Sequence, residues 1–117
     1  MAEKIDRLTR VNELLKRELA VEINKMSFPN GAGMLVSVTE VISSVDLRNA
    51  TVGISIFGGD ERKKHDVFQE LARRRVELQH HPARLLGFKH TPVLTFKPDR
   101  RTELGDRVLE LLNGDGE

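Results

Sequence analysis

The stretch from Val38 to Gly58 constrains the fold of this chain more than any other, because it alternates on both sides of a polar corner. Met34, Val36, Val38 and Ile42 fall on one side of an extended segment, with Ser37 and Thr39 on the other. Side chains of a strand point alternately to its two faces, so the pattern predicts a strand over Met34–Ile42. Glu40 interrupts the apolar side, which places it near a rim. Ala50, Val52, Ile54 and Ile56 then alternate with Thr51, Gly53, Ser55 and Phe57, predicting a second strand. Between them, Asp46 to Asn49 makes the corner, where Asp and Asn side chains accept hydrogen bonds from nearby backbone N–H groups. So short a connection predicts an antiparallel hairpin.

Helical spacing surrounds this pair. Ile5, Leu8, Val11, Leu15, Leu19, Ile23 and Met26 recur at three- and four-residue steps, predicting a helix over residues 5–26. Arg10 and Arg17 fall on the opposite side of it, with Leu14 and Val21 beside them; these two read either as ordinary extra coverage of a wide core face, the favoured reading, or as a small exposed contact. Pro29 and the glycines of Phe28–Gly33 form a loop. After Gly58-Gly59, Asp60 is placed to cap a second helix, with Val67, Phe68, Leu71, Ala72 and Leu78 on its apolar face. Arg75 would project into the middle of that face. An unpaired buried guanidinium is costly, so the helix is expected to end or bend near Arg75, with Gln79-His80-His81 as the break. Pro82 then opens a short third helix ended by Gly87. Phe88 to Lys97 reads as a third strand with Leu94 and Phe96 inward, and Pro92 favours an edge for it. Arg101 to Leu112 reads as a closing helix and residues 113–117 as a disordered tail. The order α-β-β-α-α-β plus a C-terminal helix is that of an α+β two-layer sandwich.

The 117 residues suit one domain, taken as 1–112. With no Cys there is no disulfide framework, thiolate metal site or cysteine nucleophile. No apolar run approaches the roughly 20 residues that span a bilayer. Met1 to Asp6 mixes acidic and basic residues with no apolar core of a signal peptide, so a cytoplasmic protein is expected.

Net charge is only +1, but it is unevenly spread. Residues 1–59 carry 7 basic and 7 acidic groups, residues 60–101 carry 11 and 6, and residues 102–117 carry 1 and 5. The basic middle third either solubilises helix faces or forms a nucleic-acid patch. Within it, Arg73-Arg74-Arg75 is a consecutive cationic triplet at the expected end of the second helix, which Lys63, Lys64, Arg84 and Lys89 are candidates to join. Binding through such residues releases counterions and weakens with salt. With no Trp, no Tyr and most of the five Phe at core positions, splayed bases have little to stack on, so contact with the backbone and shape of a folded RNA fits better.

Catalytic and metal chemistry find no support. His80 and His81 are adjacent and His65 and His90 isolated, without HxH or HxxxH spacing. Carboxylates are scattered, and Gly31-Ala32-Gly33 and Gly58-Gly59 extend to no phosphate-binding motif. No catalytic residue, metal, cofactor or small-molecule substrate is expected.

The predicted order is also that of the type II KH domain, whose RNA site uses a GXXG loop; this chain contains none. The combination resembles the ribosome-binding factor A family, which has this topology and lacks that loop. The resemblance covers about Arg7 to Leu112. It rests on Arg10-Val11-Asn12-Glu13-Leu14-Leu15-Lys16-Arg17-Glu18-Leu19, on Val38-Thr39-Glu40-Val41 with Ser44 to Ala50, on Gly58 and the charged helix start after it, and on His90 to Phe96 and Arg107 to Leu112. One departure stands out: where the family has small residues at a kink between its second and third helices, this chain has Arg74-Arg75-Val76.

The resemblance implies a KH-like, non-enzymatic assembly factor. It would bind the free, immature small (30S) ribosomal subunit and its 16S rRNA and assist late maturation and 5′-end processing. It would leave before translation and support growth in the cold, as a monomer with no membrane partner. The residues expected to contact RNA are Arg73, Arg74, Arg75, Arg84 and Lys89, with Arg10, Arg17 and Arg48 as second choices. The alternative is a KH-like protein-interaction module with no RNA role, suggested by Leu14, Val21 and the acidic C-terminal helix.

Overall fold

The computed structural model describes residues 2–28 and 34–99, with side chains from residue 7 onward. Its elements are α1 (Ala2–Lys25), β1 (Leu35–Ser43), β2 (Asn49–Phe57), α2 (Glu61–Arg73), α3 (Arg75–Leu85) and β3 (Val93–Pro98). The strands form one sheet in the order β1-β2-β3, with β1 antiparallel and β3 parallel to the central β2. The helices pack on one face, giving the expected KH-like α+β sandwich. The closing helix and tail expected after Arg101 lie outside the described residues, as does most of the loop expected over Phe28–Gly33.

The core forms where the two periodicities meet. Leu15, Leu19 and Ile23 of α1 are at most 2% exposed and pack with Val36, Val41, Val52 and Ile54 of the sheet and Val67 and Leu71 of α2. Each such side chain contributes roughly 1.5–3 kcal/mol by leaving water. Asn12 ties the helix to the sheet: its Oδ1 accepts the Ser43 N–H at 3.0 Å. Leu14 and Val21, expected to widen the core face, instead stand 39% and 43% exposed on the outer side of α1.

The hairpin differs from a simple alternation in one place. Val38 pairs with Ile54 and Glu40 with Gly53, so Thr39 is an extra residue in β1, a bulge. Beyond it the strand's faces exchange. Val41 turns inward, 5% exposed, and Ile42, expected inward, turns out at 56%. Gly53 leaves room for the Thr39 side chain at the bulge: a Cβ there would come within 2.7 Å of Thr39 Oγ1.

The expected corner is present. Asp46 Oδ1 accepts from Ser44 Oγ at 2.7 Å and from the Arg48 N–H at 3.1 Å, while Ser44 Oγ accepts the Asn49 N–H at 3.1 Å. These bonds hold Leu47 at φ 59°, a left-handed conformation uncommon outside glycine.

At the start of α2, Asp60 caps as expected, its Oδ1 accepting the Lys63 N–H at 2.8 Å. The helix ends after Arg73, so the guanidinium of Arg75 stays outside the core. Two details of that expectation are corrected. Ala72 is exposed rather than core-facing, and α3 begins at Arg75, not at Pro82. The single residue Arg74 makes the junction, and Gln79, His80 and His81 are helical. Packing outweighs the local break: Leu78, Pro82 and Ala83 are buried together, and Leu86 still donates to the Pro82 carbonyl at 2.9 Å. Gln79 Oε1 accepts the Leu94 N–H at 3.0 Å, joining α3 to β3.

Gly87 ends α3 at φ 71°, with Phe88 donating to the Ala83 carbonyl at 2.8 Å and Gly87 to the Arg84 carbonyl at 3.2 Å. This is a Schellman ending, which requires a left-handed residue there. The following turn carries Phe88 back to the core, so β3 starts at Val93 rather than at Phe88. Leu94 points inward, Phe96 packs against the core, and the strand lies at the sheet edge, as Pro92 suggested.

Candidate nucleic-acid interface

The cationic side chains fall into three groups. The first surrounds the α2–α3 junction. Arg73 and Arg74 both reach back to Glu70, one turn earlier. Arg73 donates from Nε to Oε2 at 3.0 Å and from a terminal nitrogen to Oε1 at 2.6 Å; Arg74 donates from Nε to Oε1 at 3.1 Å. Glu70 is 9% exposed, whereas the side chains of Arg73 and Arg74 remain 67% and 38% exposed. The Arg73 guanidinium above all, with help from Arg74, holds the Glu70 carboxyl below its ordinary range against the opposing effect of burial. In turn the carboxylate raises the pKa of Arg73, with a weaker pull from Glu77. Arg75 is exposed and has no ion pair or side-chain hydrogen bond among the described residues.

Arg74 and Arg84 also line an open groove of about 360 Å³ between α1 and α3, together with Lys25, His80 and His81. Met26 and Leu78 are apolar members of its lining, and Glu22 and Glu77 its acidic ones. His81 Nε2 lies 3.2 Å from Glu22 Oε1. This groove joins the junction to the end of α1.

The second group is at the hairpin end of the molecule. Lys89, expected beside the arginine triplet, instead shares a cleft of about 490 Å³ with Arg7, Leu8, Val11, Val45, Leu47, Gly87 and Phe88. Arg48 is exposed in the same hairpin turn, where its carbonyl accepts the Val93 N–H at 2.8 Å. The third group is the outer side of α1, where Arg10 and Arg17 are exposed. Lys63 and Lys64 join none of these. They sit at the opposite end of α2 from Arg73, roughly 15 Å away at the helical rise, and Lys64 lies 3.9 Å from Glu61.

Three contributors escaped the sequence reading: Glu70, Lys25 and Arg7. Glu70 had a legible signal, since positions three and four residues apart on a helix are neighbours. Lys25 and Arg7 had none beyond charge; only the packing of α1 against α3 and the hairpin gives them a place. Aromatic stacking surface is scarce, as expected: Phe28, Phe68, Phe88 and Phe96 pack against the core, and Phe57 alone among the described Phe residues is largely exposed. No cluster of three His, Asp or Glu side chains suited to a metal occurs among the described residues. Nor is any helix there long and apolar enough to cross a membrane.

Comparison with known proteins gives a consistent picture. The family model for ribosome-binding factor A matches residues 7–112. A ribosome-binding factor A from a Synechococcus strain is 38% identical over 109 residues, covering 92% of this chain and 74% of that protein. The crystal structure of ribosome-binding factor A from Thermus thermophilus superposes with a TM-score of 0.67 at 28% identity, covering 80% of this chain and 97% of that one. A homology model of the Thermus thermophilus protein, fitted into a cryo-EM map of its complex with the 30S subunit, superposes with a TM-score of 0.59 at 28% identity, covering 74% and 89%.

Proposed function

This chain belongs to the ribosome-binding factor A family, and from that membership we propose that it is a non-enzymatic assembly factor for the small ribosomal subunit. It binds the immature 30S particle through the 16S rRNA, assists late maturation and 5′-end processing, and acts in the cytoplasm as a monomer. The observation that carries this reading is the arginine-rich α2–α3 junction opening onto the groove lined by Arg74, Arg84 and Lys25. It offers several cations along one surface without aromatic platforms. That combination suits phosphates held in the fixed geometry of a folded RNA better than unstacked bases. Arg73, Arg74, Arg75 and Arg84 form the principal contact. Arg10, Arg17, Arg48 and Lys89 lie on the other two cationic surfaces and act as outlying contacts.

The test is sedimentation with free small subunits, large subunits and whole ribosomes across a salt series. Selective co-migration with small subunits, lost as salt rises, is the expected result. Association that persists unchanged at high salt would instead favour a protein partner. Absence from every particle at low salt would remove the proposal.

A further inference from the structure

Glu70 occupies a poor place for an acid. It lies in the last turn of α2, where the negative end of the helix dipole disfavours a carboxylate, and it is 9% exposed. Its charge is tolerated because Arg73 grips it with two hydrogen bonds and Arg74 with a third. The grip acts on the arginines too. Donors committed to Glu70 are withheld from a phosphate, and the carboxylate repels any phosphate that approaches them. Arg75, the next residue, carries no such restraint among the described residues.

We propose that Glu70 is a positioning and specificity-setting residue of the RNA interface: it fixes Arg73 and Arg74 at the helix junction and cancels part of their charge, leaving Arg75 as the cation of the triplet that no acid among the described residues engages. The proposal rests on the RNA-binding reading and deepens it. RNA that merely drifts near the junction meets a net charge smaller than three arginines would present. RNA docked in register engages Arg75 and the groove while Arg73 and Arg74 hold the orientation the carboxylate gives them. Glu70 thereby restrains binding to arbitrary RNA.

The experiment measures the affinity of a short RNA duplex, and of free small subunits, against salt for the unchanged protein, Glu70→Gln, Arg73→Ala, Arg75→Ala and the double variant Glu70→Gln/Arg73→Ala. Arg75→Ala is expected to lower the slope of log affinity against log salt by about 0.9, one phosphate contact, and Arg73→Ala by less than half of that. Glu70→Gln is expected to tighten duplex binding by roughly 3- to 10-fold near 100 mM salt and to steepen the slope by about one contact. In the Glu70→Gln background, removing Arg73 becomes as damaging as removing Arg75. A carboxylate with a merely structural role would not produce that exchange.

The proposal is overturned if folded Glu70→Gln binds the duplex no more tightly than the unchanged protein. It is equally overturned if Arg73→Ala alone already matches Arg75→Ala. Should Glu70→Gln fail to fold, the comparison of Arg73→Ala with Arg75→Ala decides by itself. If the unchanged protein binds neither probe at low salt, the RNA reading fails and this inference falls with it, an outcome distinct from binding that persists but is indifferent to Glu70.

Discussion

Asp46 shows how much a single side chain organises. Its carboxylate accepts from the Ser44 hydroxyl and the Arg48 N–H, and the first of these contributes most to holding its pKa below the ordinary value. A carboxyl with a depressed pKa in the fold contributes stability above its unfolded pKa and loses it as pH falls through the folded one. Glu70 behaves in the same direction, chiefly through Arg73. The melting temperature should therefore fall as pH drops below about 4, and Asp46→Asn should show a smaller fall between pH 7 and pH 3 than the unchanged protein. Thermal melts followed by circular dichroism at the two pH values check this; an equal fall in both proteins would contradict it. Asp46 and Asn49 announced this corner in advance; the Ser44 hydroxyl, which joins the Asp46 carboxylate to the Asn49 N–H, was not foreseen. The left-handed backbone of Leu47 was not announced. Nothing about a leucine suggests it, and the conformation follows from bonds its neighbours make.

Elements were legible where their period ran unbroken and illegible where one residue broke it. α1 and β2 stand within a few residues of where spacing places them. In β1, Thr39 adds a residue, so the period-two reading holds through Val38 and inverts after it. Glu40 on the apolar side was the visible trace of that inversion. The cost of burying Arg75 correctly signalled that α2 ends near it, but the break was expected at Gln79-His80-His81 and lies instead at Arg74. The cue offered by Pro82 failed, because buried packing of Leu78, Pro82 and Ala83 keeps the helix intact around the missing N–H. Caps, by contrast, are local and readable. Asp60→Ala should cost about 1 kcal/mol, since the Lys63 N–H then has no side-chain acceptor. Urea unfolding measures it: the midpoint should shift downward with no change in slope, and a shift well under half that energy would mean another group has taken over the cap.

At the scale of the whole molecule, the sequence carried the layers and the family but not the grouping of charge. The eight candidate cations divide among three surfaces because α1 crosses over toward α3 at one end and the hairpin turn at the other. No sequence distance encodes that division. Topology has a further effect. β1 and β2 are joined by a tight turn, whereas β3 reaches β2 only after two helices have intervened. Closing the longer loop costs more entropy before any contact rewards it. The hairpin can therefore form early, while the parallel edge strand must wait for α2 and α3 to be laid down on the sheet. Native-state hydrogen exchange should show the amides of Thr95 and Lys97, which face β2, opening at lower free energy than those of Thr51 and Ser55, which face β1. Equal protection would mean that the sheet opens as one unit. The same delay applies during synthesis: β3 is the last described strand to leave the ribosome, so until it arrives β2 exposes a bare edge to any passing chain.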